Sequence, residues 1–513
     1  MRRRYPIGLQ NFREIREGDY LYVDKTELVH ELITSGKYYF LSRPRRFGKS
    51  LLVDTIEELL SGSKELFDGL WIEDRWDWTK KNPVIHFNFA ELPYTDLGLG
   101  EALRIQLGKI AHNYGVELLS DTRQQQFQEL IEKISGAHGQ VVILIDEYDK
   151  PIIDFLDDQA KVDENRRIMK NFYSILKGSD AHIRFLLLTG VSRFSKVSIF
   201  SDLNNLQDIT VGRMFNALAG ITQQELEHYF VDEIRTYAAE MGITPEALTE
   251  QIRHWYNGYS WGGRETLYNP FSLLSFMKEG EFRNYWFATG SPTFLVNGIH
   301  ARGEYDFDNV HSTEHVLGNF DPLNMISVPL LFQTGYLTMK GYDPNTRLYK
   351  LGYPNQEVKD SLLDNLLSAY RGVYPDTSAN ETGQLLVAVQ QHDIPALIRG
   401  LNAVIASIPY DHWRADTESI FHIIMLLTFQ KVGVDVRTEV HNSRGRCDLL
   451  MLTDRDIYVV ELKLDGTAEE ALQQIIDQGY LAPYAADTRR KTAIGISFSS
   501  HDRKVTEYLA EEV

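Results

Sequence analysis

Cysteine is nearly absent from this 513-residue chain, in which Cys447 is the single residue of its type. One cysteine excludes an internal disulfide and a four-cysteine metal site, so a metal would have to be held by oxygen or histidine ligands. The sequence also lacks a run of about 18 apolar residues, and its basic start is not followed by the apolar stretch of a signal peptide. We therefore expect a cytoplasmic protein without a membrane-spanning segment.

Positive charge is in deficit as well, since 53 lysines and arginines face 72 acidic residues for a net charge of -19. Such a chain repels phosphate backbones on average, so a nucleic-acid partner would have to bind at a local basic patch. The composition, with 43% hydrophobic and 24% charged residues, is typical of a globular protein. At this length one hydrophobic core is unusual, and about two to four domains are expected.

The first informative stretch is an almost complete phosphate-binding loop that runs from Arg43 to Ser50. It lacks only the first glycine of the pattern G-x-x-x-x-G-K-[ST], and it stands between a strand-like KYYFL and an amphipathic SLLVDTIEELL. Gly48 would let the backbone approach phosphate oxygens, Lys49 would contact the β and γ phosphates, and Ser50 would bind Mg²⁺. Because Arg43 and Pro44 cannot make a glycine turn, we expect a less snug loop, and a basic surface turn remains the alternative.

A second segment, GQVVILIDEYDK, is a continuous apolar run that ends in Asp146 and Glu147. Such a run is typical of a strand buried on both faces of a parallel sheet, and open α/β sheets bind ligands at the carboxyl ends of their strands. Asp146 would hold Mg²⁺ through water, and Glu147 would orient or deprotonate the attacking water. The next strand candidate, IRFLLLTG, leads to Thr189, Arg193 and Lys196, of which one could sense the γ-phosphate, with an ordinary loop as the alternative for each.

Alternating strand-like and helical segments predict an α/β fold with a mostly parallel, doubly wound sheet. With these motifs the chain resembles bacterial AAA-ATPase-like proteins that carry a C-terminal PD-(D/E)xK nuclease-type domain. The resemblance rests on YVDKTELV, SRPRRFGKSLL, LIDEYDKPI, TGVSRFSKVSIFSDLNNLQDIT and YNGYSWGG followed by LYNPFSLL. It implies that Arg43 is a family trait. It also implies an AAA-like P-loop ATPase core over residues 1–220, a helical lid and linker with a conceivable winged helix over 221–375, and a restriction-endonuclease-like α/β domain over 376–513.

The C-terminal stretch SRGRCDLLMLTDRDIYVVELKL has two strand-like runs around the polar turn TDRD, which predicts a β-hairpin. If Leu452 pairs with Ile457, the same register places Asp448 directly opposite Glu461. Facing carboxylates lie about 5 Å apart at Cβ and repel one another unless a divalent cation neutralises them. With Lys463 on the same face, the pattern predicts Mg²⁺-assisted phosphodiester hydrolysis, and a salt bridge at a strand end is the alternative.

This stretch resembles the D, then E-x-K signature of PD-(D/E)xK nucleases. The resemblance implies that Glu418 on an upstream helix and Gln474 on a downstream helix help to orient metal and water, while a solvated Glu and a surface Gln are the alternatives. Cys447 occupies the place of the proline that names the superfamily, a position that is not a ligand. Arg444, Arg446 and Lys463 form a basic cluster near the site, and Arg489, Arg490 and Lys491 lie further along the chain. Such local cations would offset the global acidity.

The sequence thus predicts a protein that binds and hydrolyses ATP and whose nucleotide state controls a Mg²⁺-dependent nuclease domain. ATP and Mg²⁺ are the expected cofactors, and nucleic acid, DNA before RNA, is the expected partner. A homo-oligomer and a role in defence against foreign DNA are left open. Two alternatives are a nucleotide-operated switch or scaffold whose nuclease-like domain only binds a partner, and a regulatory ATPase with a silent metal site.

The residues expected to carry these functions fall into three groups. The nucleotide-binding group is Arg46, Phe47, Gly48, Lys49, Ser50, Leu51, Asp146, Thr189 and Arg193. The catalytic group is Glu147, Asp448, Glu461, Lys463, Gln474 and Glu418. The metal-binding group is Ser50, Asp146, Asp448 and Glu461.

Overall fold

The structure is a computed structural model of the whole chain. It describes residues 3–193, 203, 205–262, 265–286, 293–302, 307, 310–318, 327–372, 375–408, 417–432, 435–441 and 446–513. The chain divides into two compact units: unit 1 comprises Met1–Thr289 and Phe307–Val358, and unit 2 comprises Gly290–Asp306 and Lys359–Val513. The three-part division expected from the sequence stays a prediction.

A five-stranded parallel sheet forms the centre of unit 1. Its strands are β1 (Tyr38–Ser42), β2 (Val84–Asn88), β3 (Val141–Asp146), β4 (Ile183–Gly190) and β5 (Gln207–Asp208). They lie in the order β2-β3-β4-β1-β5, and each neighbouring pair is parallel. The predicted parallel sheet is therefore confirmed. Because the order places β4 between β1 and β3, the loop after β1 and the acidic residues after β3 lie at the same edge of the sheet.

Helices cover both faces of this sheet. The helix α3 (Lys49–Ser61) buries Leu52 and Ile56 in the same cluster as Val142 of β3, as its apolar spacing predicts. On the opposite face, Phe87 of β2 contacts Phe172 at a ring distance of 5.4 Å. The helices up to residue 173 are α1 (Phe12–Glu17), α2 (Thr26–Ser35), α3, α4 (Tyr94–Leu97), α5 (Leu99–Asn113), α6 (Arg123–His138), α7 (Lys150–Ile153) and α8 (Gln159–Tyr173).

A helical layer follows the sheet in sequence, as expected for a lid. Its helices are α9 (Gln223–Tyr229), α10 (Val231–Met241), α11 (Pro245–Tyr256) and α12 (Pro270–Glu279). Thr222 and Thr244 begin α9 and α11 by accepting backbone hydrogen bonds, as threonine commonly does at the start of a helix. Phe230 separates α9 from α10, and its buried ring packs in the core of this layer.

A small antiparallel sheet of three strands completes the part of unit 1 that the structure describes. It consists of β6 (Val310–Ser312), β7 (Thr338–Asp343) and β8 (Leu348–Gly352), in the order β6-β8-β7. The helix α15 (Ser327–Thr334) leads into the hairpin β7–β8, and the third strand, β6, precedes both in sequence and pairs with β8. The helix α14 (Glu314–Gly318) also belongs to unit 1, α13 (Thr293–Arg302) belongs to unit 2, and α16 (Gln356–Arg371) begins in unit 1 and continues into unit 2.

Unit 2 contains a five-stranded mixed sheet in the order β13-β12-β11-β10-β9. The predicted hairpin is its centre, and the strand β12 adds to it in parallel, while β9 and β13 are antiparallel edge strands. The strands are β9 (Asp435–His441), β10 (Arg446–Leu452), β11 (Asp456–Leu464), β12 (Arg490–Ser499) and β13 (Lys504–Glu512). The later helices of unit 2 are α17 (Pro375–Gln390), α18 (Ile394–Ala406), α19 (Thr417–Lys431) and α20 (Ala468–Gln478).

Candidate functional site

The loop between β1 and α3 has two residues in the left-handed backbone region just before the helix begins. Gly48 has φ of 90° and stands immediately before the first helical residue, Lys49, while Arg46 has φ of 62°. The Lys49 ammonium donates to the carbonyl oxygens of Arg43 at 2.9 Å and Pro44 at 3.0 Å. Burial lowers the pKa of Lys49, and the nearby carboxylates, Asp146 first, oppose that shift. The loop thus holds a buried lysine beside acidic groups at the start of a helix, where phosphate binds readily.

Arg43, at the position where such loops begin with glycine, has a structural role that the sequence did not reveal. Its guanidinium is fully buried and donates to Ser42 O at 2.8 Å, to Thr210 O at 3.0 Å and to Asn216 O at 3.3 Å. It also lies over the Trp261 ring at 4.0 Å. Burial lowers the pKa of Arg43 to about 9, so it stays protonated at neutral pH. Arg43 therefore stabilises the loop through these buried contacts. The expectation of a less snug loop stays a prediction.

The other loop residues divide between core and surface. Phe47 is fully buried, with its ring 5.0 Å from Tyr259 and 5.1 Å from Trp261, so only its backbone faces the loop interior. The exposed Arg46 lies over the Phe271 ring at 3.9 Å, and burial of part of its guanidinium lowers its pKa. Two residues expected in the nucleotide site, Ser50 and Leu51, are half-buried in the first turn of α3.

The carboxyl ends of β3 and β4 bring together three of the predicted residues. Asp146 is 2% exposed, and its Oδ1 accepts hydrogen bonds from the Thr189 hydroxyl and from the Glu147 amide. Burial raises the pKa of Glu147, whereas the Lys49 charge lowers it. Glu147 also has φ of 51°, a left-handed conformation that is unusual for a residue other than glycine and is found often at functional sites.

Sequence reasoning missed Asp149, which ends the LIDEYD segment. Its buried carboxylate accepts from Val191 N at 3.0 Å and from the Ser192 amide and hydroxyl, both at 2.6 Å. These contacts tie the segment after β3 to the segment after β4. A third acid three residues after Asp146 was the signal available in the sequence.

Arg193 lies in a different environment from the one its proposed sensing role suggests. Its guanidinium pairs with Asp208 of β5, with Nη2 at 2.5 Å and Nε at 3.0 Å from Oδ2. Burial raises the pKa of Asp208, but the Arg193 charge together with hydrogen bonds from Arg193 and Thr210 outweighs that effect, and the pKa lies below its usual value. Its backbone amide also donates to Gln333 at 2.9 Å. Lys196, the other cation considered for this role, lies outside the described residues.

In unit 2, the hairpin has the register that the sequence predicts. Leu452 pairs with Ile457 and Leu449 with Val460, and continuing this register places Asp448 opposite Glu461. The Asp448 amide lies 3.3 Å from Glu461 Oε2, and the Leu462 amide donates to Asp448 Oδ2 at 2.9 Å. Glu461 is only 3% exposed and Asp448 is half-buried, and each carboxylate accepts a hydrogen bond from a backbone amide of the opposite strand.

A side-chain network extends from this pair to α20. The Lys463 ammonium donates to Gln474 Oε1 at 2.5 Å, and the Gln474 amide group donates to Glu461 Oε1. The same ammonium lies 3.8 Å from Glu461 Oε1. Tyr480 also bonds to the Gln474 side chain, and burial raises the pKa of its phenol. The structure therefore joins Asp448, Glu461, Lys463 and Gln474, and it adds Tyr480.

The remaining residues expected near this pair are Glu418 and the cations. Glu418 belongs to α19, and its side chain lies outside what the structure describes, as do the side chains of Arg444 and Arg446. The basic run near residue 490 lies at the far end of β11: Arg490 pairs with Asp456 at 2.7 Å, and Arg489 donates to Thr453 O at 3.0 Å. Five strand residues, or about 16 Å, separate Asp456 from Glu461. These cations therefore do not surround the carboxylate pair.

The donor set of the pair fits Mg²⁺. Among the residues that the structure describes, no group of three or more His, Cys, Asp and Glu side chains could hold a metal ion. Mg²⁺ is commonly held by one or two carboxylates together with water and substrate oxygens, and Asp448 and Glu461 provide two. A cation there would also relieve their mutual repulsion. For a second Mg²⁺ in unit 1, Ser50 and Asp146 offer hydroxyl and carboxylate oxygens.

Two sequence families and one full-length relative match this chain. The family described as "Predicted AAA-ATPase" matches residues 6–200, and the PD-(D/E)XK nuclease superfamily matches residues 416–508. A protein of Azotobacter chroococcum mcd 1, "Uncharacterized protein in vnfD 5'region", is 40% identical over 528 residues, covering 100% of this chain and 99% of that protein. The chain belongs to this family of AAA-ATPase-like proteins with a C-terminal PD-(D/E)XK domain. The ATPase-like match falls in unit 1, and the nuclease-superfamily match falls in unit 2.

The solved structures to which this AAA-ATPase-like protein is similar have low TM-scores. The Aeropyrum pernix ORC2 protein has a TM-score of 0.28 at 10% identity, covering 67% of this chain and 92% of that one. Cdc6p of Pyrobaculum aerophilum has a TM-score of 0.27 at 11% identity, covering 67% and 93%. A TM-score of this size supports no conclusion about what this chain binds. In the part of the chain that the structure describes, no helix is long and apolar enough to cross a membrane.

Proposed function

We propose that unit 1 binds and hydrolyses ATP and that its nucleotide state controls a Mg²⁺-dependent nuclease site in unit 2. The observation that carries the proposal is the hairpin register, which sets Asp448 against Glu461 and leaves Lys463 two residues further on the same strand. We further propose an ATPase core over 1–220, a lid and linker over 221–375 and a nuclease domain over 376–513. The location is the cytoplasm and DNA is the first substrate to test.

The ATPase half of the proposal is supported by the groups at the edge of the parallel sheet. Phosphate would occupy the start of α3 and draw the Lys49 ammonium away from the carbonyl oxygens of Arg43 and Pro44. Asp146 would hold Mg²⁺ through water, as the Thr189 hydroxyl fixes its orientation. Glu147 has a pKa raised by burial, which suits a general base that must accept a proton from water near neutral pH.

The nuclease half is supported by the network around Glu461. When bound, Mg²⁺ would polarise the phosphodiester and lower the pKa of a bound water. Asp448 and Glu461 would hold it, and Lys463 would stabilise the charge that develops on the phosphate oxygens. Gln474 bridges Lys463 and Glu461, so it fixes the distance between the cation and the metal ligand. Such support commonly contributes about 10- to 100-fold to metal affinity or activity.

The experiment is a cleavage assay on plasmid DNA, linear DNA and RNA, with and without Mg²⁺ and ATP. Wild type, Lys49→Ala and Glu461→Gln are compared, and nucleotide binding is measured separately with a fluorescent ATP analogue. We expect Mg²⁺-dependent cleavage by wild type, its loss by about 100-fold or more in Glu461→Gln, and loss of its ATP response in Lys49→Ala.

Two outcomes would overturn parts of the proposal. Equal behaviour of wild type and Glu461→Gln under every condition would replace the nuclease with a nucleotide-operated switch or scaffold. If cleavage by Lys49→Ala responds to ATP as cleavage by wild type does, the P-loop does not control the nuclease.

A further inference from the structure

The phosphate-binding loop contacts two residues that lie far along unit 1, Trp286 and Gly335. The Trp286 indole donates to the carbonyl oxygen of Arg45 at 3.2 Å, and its ring lies 5.2 Å from that of Tyr336. Gly335, with φ of 91°, packs so closely on Pro44 that a Cβ there would lie 2.6 Å from the proline ring. The later part of the chain thus contacts the loop at Pro44 and at the backbone of Arg45.

Trp286 also contacts the helix α16. Its backbone amide donates to Glu357 Oε1 at 2.7 Å, and both residues are buried, with exposed fractions of 7% and 0%. Glu357 belongs to the first turn of α16, where the Asn355 side chain caps the helix by accepting from Val358 N at 3.1 Å. A carboxylate there is also stabilised by the helix dipole. A single residue therefore bonds the nucleotide loop through its side chain and α16 through its backbone.

The helix α16 continues from unit 1 into unit 2, because the division between the units falls between Val358 and Lys359. A shift of its first turn would be carried along its hydrogen-bonded backbone into residues of unit 2. Helices behave as stiff elements over such lengths, so they can transmit small displacements.

We propose that Trp286 positions the nucleotide-binding loop and links the conformation of that loop, through Glu357, to α16. This inference rests on the proposed ATP binding and names the route by which it reaches unit 2. The first movement would take place within the loop itself. Lys49 is held by the carbonyl oxygens of Arg43 and Pro44, and it must leave them to reach a phosphate. The next carbonyl along the chain, that of Arg45, is the one that Trp286 holds, so any rearrangement of the loop changes that bond.

The test uses the full chain and hydrogen exchange of residues 356–371, measured with and without a non-hydrolysable ATP analogue. The variants are Trp286→Phe, which keeps a ring but loses the indole N–H, and Trp255→Phe, a matched control in the helical layer, where Trp255 packs 5.6 Å from Phe282. Glu357→Ala removes the acceptor, and Glu357→Gln keeps an oxygen that can accept from Trp286 N. Binding of a fluorescent ATP analogue is measured for each.

We expect analogue binding to change the exchange of residues 356–371 in wild type, Trp255→Phe and Glu357→Gln. In Trp286→Phe, affinity for the analogue should fall about 5-fold through loss of one hydrogen bond, and the exchange response at saturation should be lost. Glu357→Ala should bind the analogue as wild type does and also lose the response. Melting temperatures identify any variant that fails to fold, and the two positions provide independent evidence.

Different results separate this inference from the proposed function. If wild type does not bind the analogue, both are wrong. If wild type binds it but residues 356–371 do not respond, or if Trp286→Phe and Glu357→Ala respond at saturation as wild type does, the link is wrong and ATP binding stands.

Discussion

The Asp448 amide nitrogen lies 3.3 Å from the Oε2 of Glu461, one residue beyond the paired residues Leu449 and Val460 of the hairpin. This relationship brings an acidic residue from each of the two strands to the same end of the hairpin. The adjacent Gln474 contacts Glu461 and Lys463 at once, so the charges are held by hydrogen bonds and not by packing alone.

Replacing Gln474 tests that support. We expect Gln474→Ala to lower the rate of Mg²⁺-dependent cleavage by about 10- to 100-fold, because Lys463 and Glu461 lose the amide that orients both. The measurement is a cleavage time course over a Mg²⁺ titration. Gln473→Ala is the matched control, since Gln473 is exposed on the same helix and donates to Asp477 at 2.8 Å. Equal rates for the two variants would contradict the role given to Gln474.

Arg43→Gly restores the standard first residue of a phosphate-binding loop, yet we expect it to destabilise the protein. The change leaves the buried carbonyl oxygens of Thr210 and Asn216 without the guanidinium and empties its place beside Trp261. The free energy of unfolding should fall by about 3 kcal/mol or more, measured with urea. Arg45→Gly, at an exposed neighbouring position, should cost about 1 kcal/mol or less. A stable Arg43→Gly variant with tighter ATP binding would refute the bracing role.

Thr189→Val removes the hydroxyl that donates to Asp146 while keeping the side-chain volume. Since hydrogen bonds to charged groups contribute about 1.5–3 kcal/mol, we expect kcat for ATP hydrolysis to fall by about 10-fold or more, with little change in KM. Thr189→Ser retains a hydroxyl and should recover most of the activity. Steady-state hydrolysis kinetics measure both variants, and a fall confined to KM would assign Thr189 to binding instead.

Glu357 gives the stability of the protein a specific pH dependence. Burial raises its pKa to about 7 from an ordinary value of 4.5, and hydrogen bonds from the amides of Trp286 and Tyr285 lower it in part. As pH rises from 4.5 to 7, the unfolded chain releases this proton while the folded chain keeps it, so folding loses stability over that window. Glu357→Gln lacks this penalty. It should gain stability relative to wild type by up to about 3 kcal/mol between pH 4.5 and 7.5.

Urea unfolding of both proteins at several pH values measures the difference. Identical pH profiles for wild type and Glu357→Gln would show that Glu357 titrates normally.

Local sequence patterns predicted much of this molecule because they report interactions between near neighbours. The apolar run of β3, the helical stripe of α3 and the hairpin register each depend on residues within about 15 positions, and each is confirmed. The loop motif likewise located Lys49 at a helix start. In the lid, by contrast, Phe230 divides two helices because tertiary packing buries its ring, and no nearby signal marked that break.

The sequence by itself determined the parallel α/β unit, the facing pair of Asp448 and Glu461, and the positions of Lys49 and Asp146. Only the tertiary structure decided that Arg43 braces the loop from behind, that Arg193 pairs with Asp208 and that Trp286 connects Arg45 to Glu357. These contacts join residues far apart in the chain. Their partners are therefore chosen by how the elements pack and by the need to pair every buried polar group, which no local pattern specifies.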